Sequence, residues 1–479
     1  MTLLLERSPA APGIAAAIAD ALALARLRGE TVLLSTVAAM PQSVDPLSFL
    51  EAASNDLGDG ILWSQASGAS FVGAGIALNI TGYGMERFGD VATAVRGLRG
   101  RVIEIGETAP FPVLGGFAFS DFGGNSGQWI GFPDAKFVIP SVLVQSSPEI
   151  ALRRLSVAVE PDASPDAVHQ HLTALERRTA AWSTCDAFGA DSASGVRPAA
   201  DRQQTLTHRS VPSRTAWEAT VTAAVAQIRR GSLDKVVLAR EERIEATRVF
   251  PAIDALRKLR DADATATLIA MQSGASWFIG ASPERLVKLD RGRVDVTCLA
   301  GSIAAGASGQ ERAALAAQLL ASEKDRHEHE IVVASTMSAL REVCDVVERE
   351  AGTPRVVLAR AVQHLETPVC GYLRADGHIL DLVARLHPTP AVGGFPRGRA
   401  LAAIANLETI ARGWYAGPFG WTDLDGSGEF SVAIRSALLN GATASVYAGC
   451  GIVADSDPES EFAETCLKML PMLAALDVA

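Results

Sequence analysis

Carboxylates and an amine at helical spacing crowd one stretch near the C-terminus, Gly449 to Leu473 (GCGIVADSDPESEFAETCLKMLPML). After a Gly449-Cys450-Gly451 turn and a loop containing Pro458, the pattern predicts a helix carrying Glu461, Glu464 and Lys468. Residues three or four apart share one helix face. Two carboxylates on one face repel, so such a pair calls for a positive charge between them. A second acidic pair at the same spacing, Asp325 and Glu328, lies in EKDRHEHE. Two helices of this kind facing one another would hold a hard cation. Magnesium fits, because it takes oxygen ligands and keeps positions open for water and substrate. Acidic residues three apart lie as a rule on a solvated face. Here, however, both pairs adjoin apolar runs (Ile331, Val332 and Val333; Leu467, Met469 and Leu470).

Three further residues carry chemistry. Lys235 opens an apolar strand, KVVLAR. It either snorkels from a sheet edge or points into a closed site, where desolvation would lower its pKa and make it a general base. Glu284 follows the strand WFIGAS and Pro283; it either donates a proton or caps the backbone of Arg285 and Leu286. Arg435 falls within the predicted strand Phe430–Leu439, where an arginine pairs with a carboxylate of the protein or of a ligand. The glycines of Gly449-Cys450-Gly451 allow backbone N–H groups to approach an anion. Other patterns fail. HEHE is not HExxH, DLDGSGE at 423–429 lacks the ligand positions of an EF-hand and reads as a turn, and neither a P-loop nor a dinucleotide fingerprint occurs.

The elements that must position these groups read as α+β. The apolar segment Ile14–Leu27, interrupted by Asp20 and Arg26, suits an amphipathic helix. Short β-type segments follow at Thr31–Ser35, Phe71–Ile76 and Lys136–Leu143, and Gly115–Gly127 reads as turns and edge connections. Residues 183–210 are polar and make the linker candidate. Beyond them the pattern predicts helices at 215–230, 251–260, 308–320 and 322–342. Strands are predicted at 235–243, 265–271, 276–289, 356–363, 429–440 and 443–453, with hairpins at Asp290–Gly292 and Asn440-Gly441. Hairpins with interspersed helices and no βαβ alternation point to large antiparallel sheets.

Composition narrows the function. The 479 residues are 48% hydrophobic, enough for a large core. A net charge of −11 without basic clusters argues against nucleic acid and anionic membranes as partners. The six cysteines show no CxxC pair and read as free thiols. No basic segment precedes an apolar run at the N-terminus and no uncharged stretch has membrane-spanning length. The expected location is the cytoplasm.

Together the segments LDKVVLAR, FIGASPERL, LAGSIAAG, SEKDRHEHEIVV, VQHLETP, LHPTPAVGGFP, RGWYAGPFGW, FSVAIRSALL and AGCGIVADSDPESEFAETCLK resemble the chorismate-utilising enzymes, and among them the isochorismate synthases. The resemblance covers roughly residues 215–475. It implies an α+β fold of two large packed antiparallel sheets with helices outside, residues 1–210 completing the sheets and 211–479 forming the chorismate-binding half of one integrated unit. It implies Lys235 as the base that activates water and Glu284 as the general acid. Glu328 and Glu464 match direct magnesium ligands, with Asp325 and Glu461 reaching the metal through water. Arg435, Tyr415 and the Gly449, Cys450 and Gly451 backbone match groups that hold the enolpyruvyl carboxylate, while His364, Ser302 and Lys468 line the substrate site. Ala300 stands where aminodeoxychorismate synthases carry a nucleophilic lysine. Lys235 argues against anthranilate synthase and its glutaminase partner. Ser302 replaces the usual threonine but keeps the hydroxyl. Salicylate synthases share the acid, the base and both metal glutamates, so they remain the alternative. The length and the HPTPAVGGFPR segment favour isochorismate synthase, acting as a monomer.

Overall fold

A computed structural model describes residues 13–40, 44–66, 68–121, 127–184, 206–359, 362–375 and 377–478. Among the described residues, two sheets, antiparallel apart from the parallel edge pair Val32–Ala39 and Val102–Gly106, are joined by two long strands, Ser70–Gly82 and Ala135–Ser146. Ala135–Ser146 pairs with Ser70–Gly82 along one edge. Its other edge is split: Ala135–Val138 faces Val113–Phe117, and Val142–Ser146 faces Ala151–Val159.

The first sheet runs from Val102–Gly106 through Val32–Ala39 and Ala151–Val159 to the joining strands. It continues through Ile61–Ser64, Thr267–Ser273, Ser276–Ser282, Ser436–Asn440 and Thr443–Ile452 to Lys235–Glu245. The second passes from Val113–Phe117 through Pro418–Thr422, Gly428–Val432, Arg285–Asp290 and Arg293–Ala304 to Val362–Leu373. Alternation along each strand sends successive side chains to opposite faces. Phe278 and Tyr447 therefore enter one core with Phe137, Phe419 and Phe430. Their neighbours Ile279 and Val446 enter a second core beneath the helices Ile14–Arg28, Pro46–Leu57, Ala252–Ala262 and Pro458–Ala475. Among the described residues no helix is long and apolar enough to cross a membrane.

Most predicted elements form within a residue or two of their expected bounds. The differences include the segments that carry the candidate chemistry. The expected strand 276–289 is two strands, Ser276–Ser282 and Arg285–Asp290, because Pro283 has no N–H for the ladder. The expected strand 429–440 likewise breaks into Gly428–Val432 and Ser436–Asn440, so Arg435 sits in the break and not within a strand, at φ 53°. Gly449 to Gly451 is no turn; it lies inside the strand Thr443–Ile452. The expected strand 356–363 divides into Arg355–Ala359 and the start of Val362–Leu373. Gly115 and Gly116 belong to an inner strand, paired on both sides, where a Cβ on Gly115 would lie 2.1 Å from the Lys136 carbonyl oxygen. Most of the linker candidate 183–210 lies outside the described residues; its end, Thr207–Val211, is a strand on Glu241–Glu245. Of the expected apolar helix faces, Val332, Val333 and Met469 are buried, whereas Leu467 and Leu470 are exposed.

Candidate active site

Glu284 and Arg435 sit at one seam, where the two paired strands break side by side and pass from the first sheet to the second. The Ser282 hydroxyl donates to the Val432 carbonyl at 2.6 Å and accepts from the Glu284 N–H at 3.2 Å. The Val432 N–H donates to the Glu284 carbonyl at 3.0 Å, and the Ala281 N–H to the Arg435 carbonyl at 3.2 Å. The left-handed backbone at Arg435 is uncommon for a residue with a Cβ and marks a conformation imposed by its surroundings.

Lys235 begins the strand Lys235–Glu245, which pairs with Thr443–Ile452 so that Val237 faces Gly451 and Ala239 faces Gly449. A Cβ on Gly451 would lie 2.7 Å from Lys235 Cε and 3.3 Å from Nζ. The glycine thus leaves the lysine side chain room to cross the neighbouring strand. Val237 donates its N–H to the Gly393 carbonyl, and Ala239 donates to Glu408 Oε1. Both point away from Thr443–Ile452, so by antiparallel register Gly449 and Gly451 also turn their N–H groups off that ladder. Cys450, at the alternate position, is committed to it. Its buried thiol faces the Glu461 carbonyl, and burial raises its pKa.

Two amines and two carboxylates complete the surround. Lys235 Nζ donates to Glu328 Oε1 at 2.7 Å. Lys468 Nζ donates to the Gly449 carbonyl at 3.0 Å and pairs with Glu464 at 2.5 Å. Glu328 rides on the helix Glu323–Arg341, which Ser322 caps by accepting from the Asp325 N–H while its hydroxyl donates to the Asp325 carboxylate. The start of that helix packs on Gly301 (φ +75°), where a Cβ would be 3.2 Å from Asp325 Cβ. Beside it, Ser302 Oγ and His364 Nδ1 are 2.7 Å apart, and burial lowers the His364 pKa. Glu461, in the first turn of Pro458–Ala475, accepts from Ser456 Oγ at 2.7 Å.

The electrostatics single out Glu284. Burial pushes its carboxyl from the ordinary 4.5 up to about 7, against the pull of Arg435, Lys235 and Lys468. Its residue surface is half-buried. Near neutral pH such a group holds a transferable proton. Both lysines that grip the metal-type glutamates also bear on this carboxyl, which brings the base candidate, the acid candidate and both acidic helices to one locality. Tyr415 is buried, its hydroxyl 3.3 Å from where a Cβ on Gly449 would stand, and burial raises its pKa to about 12.

The acidic residues suit a hard cation in kind. All four are carboxylates, Glu328 and Glu464 each already hold a positive charge, and Glu461 Oε2 is buried with no hydrogen-bond partner among the described residues. Among the described residues no three His, Cys, Asp or Glu side chains are grouped to ligate a metal as they stand. Asp325 is engaged at its helix cap, and Glu464, 49% exposed, leans on Lys468.

Several positioning residues escape a reading of the sequence alone. Buried His329 bridges the Ala300 carbonyl (3.2 Å) and Thr367 Oγ1 (2.7 Å), fixing the Glu328 helix to two strands. The buried pair Glu408–Arg412 supplies the Lys235 strand with hydrogen bonds at Ala239 and Val237 where no strand lies alongside. The spacing of four between Glu408 and Arg412 was a visible signal; their strand partner was not.

The fold, with an acid candidate at the seam, a base candidate near it and two acidic helices, agrees with a chorismate-utilising class of enzyme. The chain belongs to the chorismate binding enzyme family, whose sequence profile matches residues 18–477. It is similar to isochorismate synthase MenF of Bacillus subtilis, 36% identical over 446 residues that cover 91% of this chain and 92% of that protein. It is also similar to the salicylate biosynthesis isochorismate synthase of Pseudomonas aeruginosa, 38% identical over 438 residues, 90% and 88% of the two chains. Among solved structures, the menaquinone-specific isochorismate synthase MenF of Escherichia coli superposes with a TM-score of 0.77 at 25% identity, covering 96% of this chain and 100% of that one. Anthranilate synthase component I of Streptococcus pneumoniae shares the fold, with a TM-score of 0.68 at 24% identity over 85% of this chain and 93% of that one.

Proposed function

We propose that this protein is an isochorismate synthase, an isomerase that converts chorismate to isochorismate. The observation that carries the reading is the Glu284 carboxyl, raised to about 7 and lying within the field of Lys235, in a chain whose full-length relatives bear that name. Lys235 Nζ, as the neutral amine, takes a proton from water as the water oxygen bonds to ring C2. The ring double bonds shift, the C4–oxygen bond breaks, and Glu284 protonates the departing hydroxyl so that it leaves as water. One water enters and one leaves. The reaction needs its base and acid on opposite faces of the ring.

Glu328 and Glu464 would hold magnesium directly, with Asp325 and Glu461 reaching it through water. When bound, the ion neutralises and orients the ring carboxylate. Arg435, Tyr415 and the outward N–H groups of Gly449 and Gly451, flanking Cys450, hold the enolpyruvyl carboxylate. His364, Ser302 and Lys468 line the ring. Since the nucleophile is water, no glutaminase subunit is needed, and the protein acts as a cytoplasmic monomer.

The test is incubation with chorismate and magnesium followed by chromatographic product analysis. Isochorismate alone is the expected product. Salicylate with pyruvate would instead make the protein a salicylate synthase, and an absence of turnover would overturn both readings.

A further inference from the structure

The N-terminal half contributes a side chain that shapes the substrate-binding loop. Trp129, 1% exposed, ends the short turn Gly127–Trp129 and lies against the loop 410–417 that carries Tyr415. Its indole Nε1 donates to the Ala411 carbonyl at 3.2 Å. Its ring fills the space beside Gly413, where a Cβ would stand 2.0 Å from Trp129 Cε2 and where φ is +52°, a conformation that glycine adopts at little cost. Two ring contacts then lead into the site. Trp129 stacks on Tyr447 with centroids 5.8 Å apart and planes at 27°, and Tyr447 stacks on Tyr415 at 5.3 Å and 20°. The Gln128 side chain locks the middle ring, its Nε2 donating to Tyr447 Oη at 2.7 Å. The far end of the stack is the Tyr415 hydroxyl beside Gly449.

We propose that Trp129 is a positioning residue for Tyr415, so that the N-terminal half sets how tightly the anionic end of the substrate is held. The inference rests on the reading of Tyr415 as a substrate-binding group. A stack of rigid rings fixed at one end by a hydrogen bond and a glycine-lined socket leaves the last ring little freedom to tilt. Loosening the first ring should therefore be felt at the Tyr415 hydroxyl.

The experiment is a double-mutant cycle in chorismate binding, measured by calorimetry in a Lys235→Ala background that keeps the chemistry silent. Trp129→Phe, which keeps a ring but loses the indole donor, is expected to weaken binding about fivefold. In a Tyr415→Phe background the same change is expected to cost less than about twofold, because the group it positions is gone. Equal losses in both backgrounds, or unchanged binding by Trp129→Phe, would overturn the proposal. Gln128→Ala releases the Tyr447 hydroxyl from a less buried position, and its own cycle with Tyr415→Phe decides the matter should Trp129→Phe fail to fold. Product analysis on the unmodified protein judges the isomerase reading separately, since the binding cycle holds whichever product forms.

Discussion

A carboxyl that half-ionises at about pH 7 makes the chemistry of Glu284 visible in two unrelated measurements. As general acid it must be protonated, so kcat/KM is expected to show a limb that falls as pH rises through about 7, and a profile without that limb would exclude the role. The same shift affects stability. A carboxyl raised in the folded state binds its proton more tightly there than in the unfolded chain, where it ionises near 4.5. Stability is therefore lost between pH 4.5 and 7, and the penalty stays at higher pH, on the order of 3 kcal/mol. Glu284→Gln should melt higher than the unmodified protein at pH 8, match it at pH 4, and turn over far more slowly at both. Gly451 gives a second residue-scale test. Gly451→Ala places a methyl 2.7 Å from Lys235 Cε, and the lysine must move to clear it. The expected result is a loss of kcat of about a hundredfold or more with the melting temperature little changed; near-normal kcat would mean that another group is the base.

At the scale of elements, the site is built from interruptions in regular structure. Ser322 closes one helix and caps the next, and it also holds the Asp325 carboxylate. Ser322→Ala should cost about 1 kcal/mol of stability and shift the magnesium titration of turnover. A stability loss with an unchanged titration would place Asp325 outside the metal's surroundings. Helices and hairpins were legible in the sequence because their signals are local: apolar spacing, caps, and Asn440-Gly441 at a left-handed turn (Gly441 φ +61°). The seam was only half legible. Pro283 announces a break, yet the apolar run across Ala433 and Ile434 conceals the matching break at Arg435, which arises from pairing with a strand about 150 residues earlier in the chain. The register that sets Gly451 opposite Val237, beside the Lys235 side chain, is likewise a long-range pairing with no local signature. Roles for Lys235, Glu284 and the glutamates came from resemblance; spacing alone left each of them with an ordinary structural explanation.

Across the whole molecule, the joining strands Ser70–Gly82 and Ala135–Ser146 tie two sheets into one hydrogen-bonded network. The seam that bears Glu284 and Arg435 also lies where strands pass between those sheets, and helices from both sheets bring the carboxylates to it. Ligands that bind the folded chain alone should therefore stabilise all of it at once. Magnesium is expected to raise the melting temperature, and Glu464→Gln to shift that response to higher magnesium concentration; identical melts with magnesium and with a chelator would remove the ion from the account. The most direct test of the central claim is the origin of the new hydroxyl. With chorismate in water enriched in oxygen-18, the first isochorismate formed should carry one heavy oxygen, at C2, if Lys235 acts as the proposed base and delivers a solvent molecule there. Isochorismate formed without heavy oxygen would show that the hydroxyl migrates within the substrate, and it would contradict the pairing of Lys235 with Glu284 as base and acid.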